Sequence, residues 1–264
     1  APLAGWLGSQ RPRMPEDLIR GLLNDAVSDP DENDYGVGVI RAPEPGRKYE
    51  LYADPCGFGA TGDPAALTVF DLETLEEVAW WSGREDPDRL AVRIQIICEY
   101  YNNARAVVES NHAGCISALK MLHVKLYSFK RGHPGWWASD TSIARAQFAL
   151  VFLLRASGMK IWSYKGLNQL RSYDGTFKRR ATDEDGIGHH FDRARTYIMA
   201  ASFLIKIYKK REKALEREAA RQAAESAPQA QERDPGGIPF NVLNSGGRPR
   251  QGQNDYTRRP PKHR

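Results

Sequence analysis

Cysteine is scarce in the 264-residue chain, and its three copies, Cys56, Cys98 and Cys115, are odd in number and show no C-x-x-C spacing. That excludes a disulfide framework and a thiolate zinc site as expectations and leaves reduced thiols. No Gly-Lys dipeptide occurs, so there is no G-x-x-x-x-G-K-[ST] phosphate loop. No run approaches the roughly 18 apolar residues of a membrane span, and the opening APLAGWLGSQRPR has no signal-peptide core. Excess charge is also missing from most of the chain. The net +5 is accounted for by residues 244–264, where six Arg and Lys face one Asp, and the remaining residues balance at 32 of each sign. A pI near 9.1 is therefore no proof of a basic nucleic-acid-binding core, and any positive surface must come from local clustering. At 41% hydrophobic and 27% charged, the composition predicts a soluble globular protein working in cytoplasm, with no membrane partner, built as one sizeable domain plus appendages.

The chain starts without Met in what reads as a polar linker, which predicts a piece cut from something longer. Residues 1–47 hold one expected helix, Pro15 to about Ala26, followed by the Pro-, Gly- and Asp-rich SDPDENDYGVGVIRAPEPGR, and read as a linker-like segment. Residues 48–212 read as the ordered domain. KYELYAD predicts a strand, GFGATGDP a tight loop, and ALTVFDLETLEEVAWWSG a hairpin turning near Glu73 and Thr74. Leu90, Ile94, Ile97, Cys98 and Tyr101 share one helical face, and that helix feeds a strand at 104–109. A helix from Asn111 or His112, a short strand VKLYSF, and a helix capped by Ser139 or Asp140 and stopped near Gly158 come next. Residues 159–188 read as polar turns with a basic cluster, and a last long helix starts near His190. Residues 213–264 read as a helical extension and a disordered basic tail. The order predicts an α/β fold, a mixed sheet covered by helices.

The stretch ARAVVESNHAG ends an apolar run on Glu109. Glu109 is either a surface residue just past a strand or a carboxylate held at a sheet's C-terminal edge for chemistry. Asp54 ends the first strand and Asp192 begins the last helix in the same way. Carboxylates distant in sequence but placed at element ends can meet at one sheet edge. Hard divalent cations such as Mg²⁺ or Mn²⁺ take such oxygen ligands, and a pair of them serves phosphodiester hydrolysis. A chain with 33 acids also supplies three at element ends by chance, so spacing alone leaves both readings open.

The wording around these acids goes further. YADPCGFGATGDPAALTVFDLET, VVESNHAG, GWWASDTS and HHFDRARTYIMA, in that order over about Tyr49 to Ala201, resemble the nuclease domain of the large terminase subunit of tailed bacteriophages, the DNA-packaging motor. The resemblance implies an RNase H-like fold and a two-metal DNA endonuclease that cuts concatemeric viral DNA, using two Mg²⁺ or Mn²⁺ ions. Asp54, Glu109 and Asp192 would then be the metal-binding and catalytic carboxylates, with Asn111 and Gly114 shaping the turn that aims Glu109. Asp63 matches a second acidic position with either a helper or a turn role. Many relatives carry two adjacent acids where this chain has Phe191-Asp192 preceded by His189 and His190. Whether His190 assists the metal or caps the helix stays open. The implied partners are double-stranded viral DNA, the portal protein, the small terminase subunit and an upstream ATPase domain of the same polypeptide, all in host cytoplasm.

SYKGLNQLRSYDGTFKRR interleaves Lys165, Arg171, Lys178, Arg179 and Arg180 with Tyr164, Tyr173 and Phe177. It reads as a DNA-gripping arm or as a solvated loop. One of Trp136 and Trp137 is expected in the core, with a stacking platform as the alternative, and GGIPFNVLNSGG is an apolar island in the tail that suits a docking peptide. The rival functions are another RNase H-like nuclease such as a junction resolvase, and a non-catalytic module binding DNA or portal.

Overall fold

Strands arise here where β-branched and aromatic residues run together between Gly, Pro and Asp. The computed structural model describes residues 14–26, 36–55, 64–111, 113–173 and 192–226, which divide into two compact units between Ala220 and Arg221. The elements are α1 (Glu16–Asp25), β1 (Gly38–Val39), β2 (Tyr49–Asp54), β3 (Ala65–Asp71), β4 (Glu77–Gly83), α2 (Pro87–Tyr100), β5 (Arg105–Val108), α3 (Ala113–Met121), β6 (Ser128–Lys130), β7 (His133–Pro134), α4 (Asp140–Arg155), α5 (Tyr164–Ser172) and α6 (Asp192–Ser226). Among the described residues no helix is long and apolar enough to cross a membrane. In the second unit, Arg221 and Glu225 pair at 2.7 Å one helical turn apart on an exposed surface.

In the first unit five strands form one sheet in the order β1-β4-β3-β2-β5. β2 pairs antiparallel with β3 and parallel with β5. Asp71 Oδ1 accepts from the Glu73 N–H at 2.7 Å and the Thr74 N–H at 3.3 Å, which closes the β3–β4 hairpin where the sequence places its turn. Alternate side chains of β2 enter different cores. Leu51 and Ala53 join Leu67, Val69, Trp81, Leu90, Ile94 and Leu119 on the face covered by α2 and α3. Tyr52 joins Phe70, Val107, Leu150, Leu153, Tyr197 and Leu204 on the other. A sheet buried on both faces explains why β2, β3 and most of β4 are sequestered at every position.

Two expectations need correction. The segment 1–47 is more than a linker, because Met14 and Ile19 are buried in the core of the second face and β1 adds to the sheet through Gly38↔Trp80 and Val39↔Ala79. Residues 164–172 are a helix, α5, and not polar turns, with Leu167 and Leu170 fully buried. Ser163 caps it by accepting from the Gly166 N–H at 2.9 Å. The helical extension expected from residue 213 is the continuation of α6, which runs on to Ser226. The VKLYSF segment contributes only bridge pairing beside β5, the Tyr127 N–H donating to the Ala106 carbonyl at 2.8 Å, and its end forms the β6–β7 ribbon.

Candidate active site

The parallel register Ala53↔Val108 aligns the C-terminal ends of β2 and β5, so the next residues, Asp54 and Glu109, meet. The Glu109 N–H donates to the Ala53 carbonyl at 3.0 Å and fixes that alignment. Both side chains are buried, Asp54 at 0% and Glu109 at 1% exposure. Burial raises the Glu109 carboxyl first, the adjacent Asp54 charge raises it further, and it is pushed up to about 8 against the pull of Arg195 and of the Asn111 hydrogen bond. Asn111 Nδ2 donates to Glu109 Oε1 at 2.7 Å, so the turn after β5 aims the carboxylate.

Arg195 closes the pair. Its guanidinium lies 2.9 Å from Glu109 Oε1 and 3.2 Å from Asp54 Oδ2. The second contact is an ion pair without hydrogen-bond alignment, since Asp54 Oδ1 and Oδ2 and Glu109 Oε2 are buried without a hydrogen-bond partner. Oxygens of this kind, all from carboxylates and facing a cation already, are the donor set that a hard divalent ion requires. Burial lowers the Arg195 pKa, but the charges of Asp54, Glu109 and Asp192 outweigh it and the net direction is upward. Asp192 stands three residues before Arg195 on α6, hence on the same helical face. It is 7% exposed.

Packing across the sheet holds the start of α6. Gln169 Oε1 of α5 accepts from the N–H groups of Arg193 and Ala194 at 3.0 and 3.3 Å, capping the helix from a distant element. Arg193 is buried, stacks at 3.4 Å over the Trp80 ring and donates to Ser163 Oγ at 2.6 Å. Glu77 beside it accepts from the Tyr197 hydroxyl at 2.8 Å and from the N–H groups of Trp162 and Ser163 at 3.1 Å. Burial raises the Glu77 pKa, with Arg193 opposing.

Of the residues singled out in the sequence, Asp54 and Glu109 are brought together and Asp192 stands near them through Arg195. Among the described residues no group of three or more His, Cys, Asp or Glu side chains converges as a ready metal site. Asp63, His190, Lys178, Arg179 and Arg180 lie outside the described residues. Lys165 and Arg171 are exposed on α5, while Tyr173, expected in the arm, is buried and accepts from Gln147 Nε2. Trp136 packs against the core and Trp137 is 55% exposed. Sequence reasoning missed Arg195, although its spacing from Asp192 in FDRAR was a usable signal. Gln169 gave none, being more than twenty residues from the helix it caps.

No family model and no curated protein matches the chain. Solved structures do. The large terminase nuclease from thermophilic phage G20c with bound magnesium is 16% identical, covers 70% of this chain and 96% of its own, and superposes with a TM-score of 0.52. Its cobalt-bound form matches at 16% identity over 70% and 96% of the two chains, and its zinc-bound form at 16% over 71% and 97%, each with a TM-score of 0.51. The chain therefore shares the fold of these large terminase nuclease structures, a mixed five-stranded α/β sheet flanked by helices.

Proposed function

We propose that the chain is a metal-dependent DNA endonuclease acting in viral genome packaging. One observation carries the reading: Asp54 and Glu109, both buried, stand side by side at one sheet edge with oxygens that lack hydrogen-bond donors. Burying two carboxylates together costs several kcal/mol, by the rough magnitude for unpaired buried ions, and the single charge of Arg195 offsets only part of it. The comparison proteins are terminase nucleases described with bound magnesium, cobalt or zinc, which supports the same assignment.

Asp54 and Glu109 would hold the divalent ions, with Asp192 as the third carboxylate and Asp63 or His190 as further candidates. Mg²⁺ or Mn²⁺, when bound as a pair, lowers the pKa of the attacking water and stabilises the departing 3′-oxygen. The protein's own residues prepare that event. Asn111 orients Glu109, the Ala53–Glu109 backbone bond sets the carboxylate separation, and Arg195 supplies a cation beside both acids. Lys165 and Arg171 on α5, together with Lys178, Arg179 and Arg180, are the cations proposed to hold double-stranded viral DNA by its phosphates. An upstream ATPase domain, the portal protein and the small terminase subunit are the proposed partners in host cytoplasm.

The test is cleavage of plasmid DNA by the whole chain with Mn²⁺ or Mg²⁺ and without ATP, alongside Mn²⁺ titration calorimetry. Nicking and linearisation that EDTA abolishes, together with Mn²⁺ uptake, are expected. Asp54→Asn and Asp192→Asn should each fold, bind DNA and lose most cleavage. Absence of both metal-dependent cleavage and Mn²⁺ uptake would overturn the assignment in favour of a DNA-binding module.

A further inference from the structure

A cleft of about 270 Å³ opens beside Ser110, the residue after Glu109. Ser117 and Lys120 of α3, Phe129 of β6, His133 of β7 and Trp137 line it, and none of its lining residues is acidic. Lys130 and Arg131 are exposed at the turn of the β6–β7 ribbon, with Lys130 Nζ 5.6 Å from the centre of the Phe129 ring.

Single exposed aromatics are ordinary on protein surfaces. Here Trp137 at 55% and Phe129 at 40% exposure line one cleft rimmed by cations, and the backbone that carries Trp137 is tied down on both sides. The Trp136 N–H donates to the Val108 carbonyl at 2.7 Å, and Ser110 donates its N–H to the Trp136 carbonyl at 2.9 Å. The Trp137 carbonyl accepts from Ser142 Oγ at 2.8 Å. Gly135, at φ +93, lies where a Cβ would stand 2.7 Å from the Val108 carbonyl, so the loop seats directly on the strand end that presents Glu109. An exposed indole whose backbone is pinned beside the strand of the carboxylate, with Lys120 in the same cleft, has the chemistry of a stacking platform for single-stranded nucleic acid.

We propose that this cleft binds an unpaired base of a DNA strand, stacked on Trp137 with Phe129 beside it, while Lys120, Lys130 and Arg131 hold the adjoining phosphates of the strand that leads to Asp54 and Glu109. Paired DNA hides its base faces, so the platform acts only where the duplex is opened, next to the bond to be cut. Lys120 in a wall without acids, with Lys130 and Arg131 exposed on the adjoining ribbon turn, fits a polyanion, and direct continuity with Ser110 fits the cleaved strand. The inference rests on the nuclease reading for its orientation, but the binding it describes is separable from cleavage.

The experiment measures affinity of the whole chain, in EDTA, for a fluorescent duplex and for the same duplex carrying a short central bubble with 2-aminopurine in it. Wild type should prefer the bubble and quench the 2-aminopurine. Trp137→Ala should weaken the bubble complex about thirtyfold, the middle of the range for one lost base–aromatic stack, and restore the emission. Binding of the closed duplex should hold, and Trp137→Phe should recover most of the loss. Changing Lys120, Lys130 and Arg131 together to Ala should flatten the salt dependence by about two, given roughly 0.7 per phosphate contact on a single strand. Thermal midpoints confirm folding of each variant. Equal loss on both DNAs, no loss on either, or an unchanged salt slope would overturn the proposal. Absence of metal-dependent cleavage with the Trp137-dependent bubble preference intact would instead refute the nuclease reading alone.

Discussion

Replacing Glu109 by Gln in metal-free protein should stabilise the fold at alkaline pH and leave it unchanged near pH 5. The Glu109 carboxyl is pushed from 4.5 to about 8, by burial first and the Asp54 charge second. The folded chain therefore keeps this proton up to about pH 8, whereas the unfolded chain gives it up near 4.5. Between those values the native state binds more protons, so its stability falls as pH rises, by about 1.4 kcal/mol per pH unit. The whole window sets a ceiling near 5 kcal/mol, and relaxation of Arg195 and entry of water reduce the working figure to about 2 kcal/mol. Gln keeps the Oε1 acceptor that Asn111 and Arg195 use. Its amide also offers a donor to Asp54, whose oxygens have none. At about 2–4 °C per kcal/mol for a chain of this size, Glu109→Gln should melt about 4–8 °C above wild type at pH 8, with no gap at pH 5. Thermal unfolding by circular dichroism in EDTA across pH 5–9 reads it. A gap that does not change with pH, or a variant less stable at pH 8, would refute the buried-carboxylate argument.

Three further substitutions test how the site is held. Gly135→Ala should cost about 2–3 kcal/mol of stability in urea unfolding, because φ +93 is strained for Ala and its Cβ meets the Val108 carbonyl. Gly132→Ala, at φ +80 with open space around it, should cost only about 1 kcal/mol. Gln169→Ala removes the acceptor for the Arg193 and Ala194 N–H groups and should cost about 1 kcal/mol in the same assay, as the loss of a helix cap does. It should also weaken Mn²⁺ binding by calorimetry, since the start of α6 carries Asp192 and Arg195. Unaltered Mn²⁺ affinity would mean that helix position does not tune the site.

Sheet elements were legible where local chemistry and packing agree. β2, β3 and β4 are dense in β-branched and aromatic residues, and Asp71 leads the Glu73-Thr74 turn with its own side chain, so sequence and structure coincide. β1 was missed because two residues flanked by Gly and Pro carry no period. Its place is made by the edge of β4, with Val37 buried in the core of the first face. α5 was missed for a related reason. YKGLNQLRS is polar with one Gly, and its helix depends on burying Leu167 and Leu170 in the core that also takes Ile19 of α1 and Tyr197 of α6, partners that local propensity does not see.

The site divides along the same line. Asp54 and Glu109 were found because each interrupts an apolar run at a strand end, and the parallel pairing of β2 with β5 converts that shared feature into contact. Asp192 begins a helix, and a helix start is fixed by whatever holds it. Glu77 on β4, Ser163 before α5 and Gln169 within α5 do so here, through Arg193 and the first N–H groups. None of these three is near Asp192 in sequence. The same anchoring points Arg195 at the carboxylates, so the cation beside them belongs to the very element whose position sequence could not fix. A single helix start thus supplies both the proposed third acid and a positive charge beside the first two, and displacing it would alter both together.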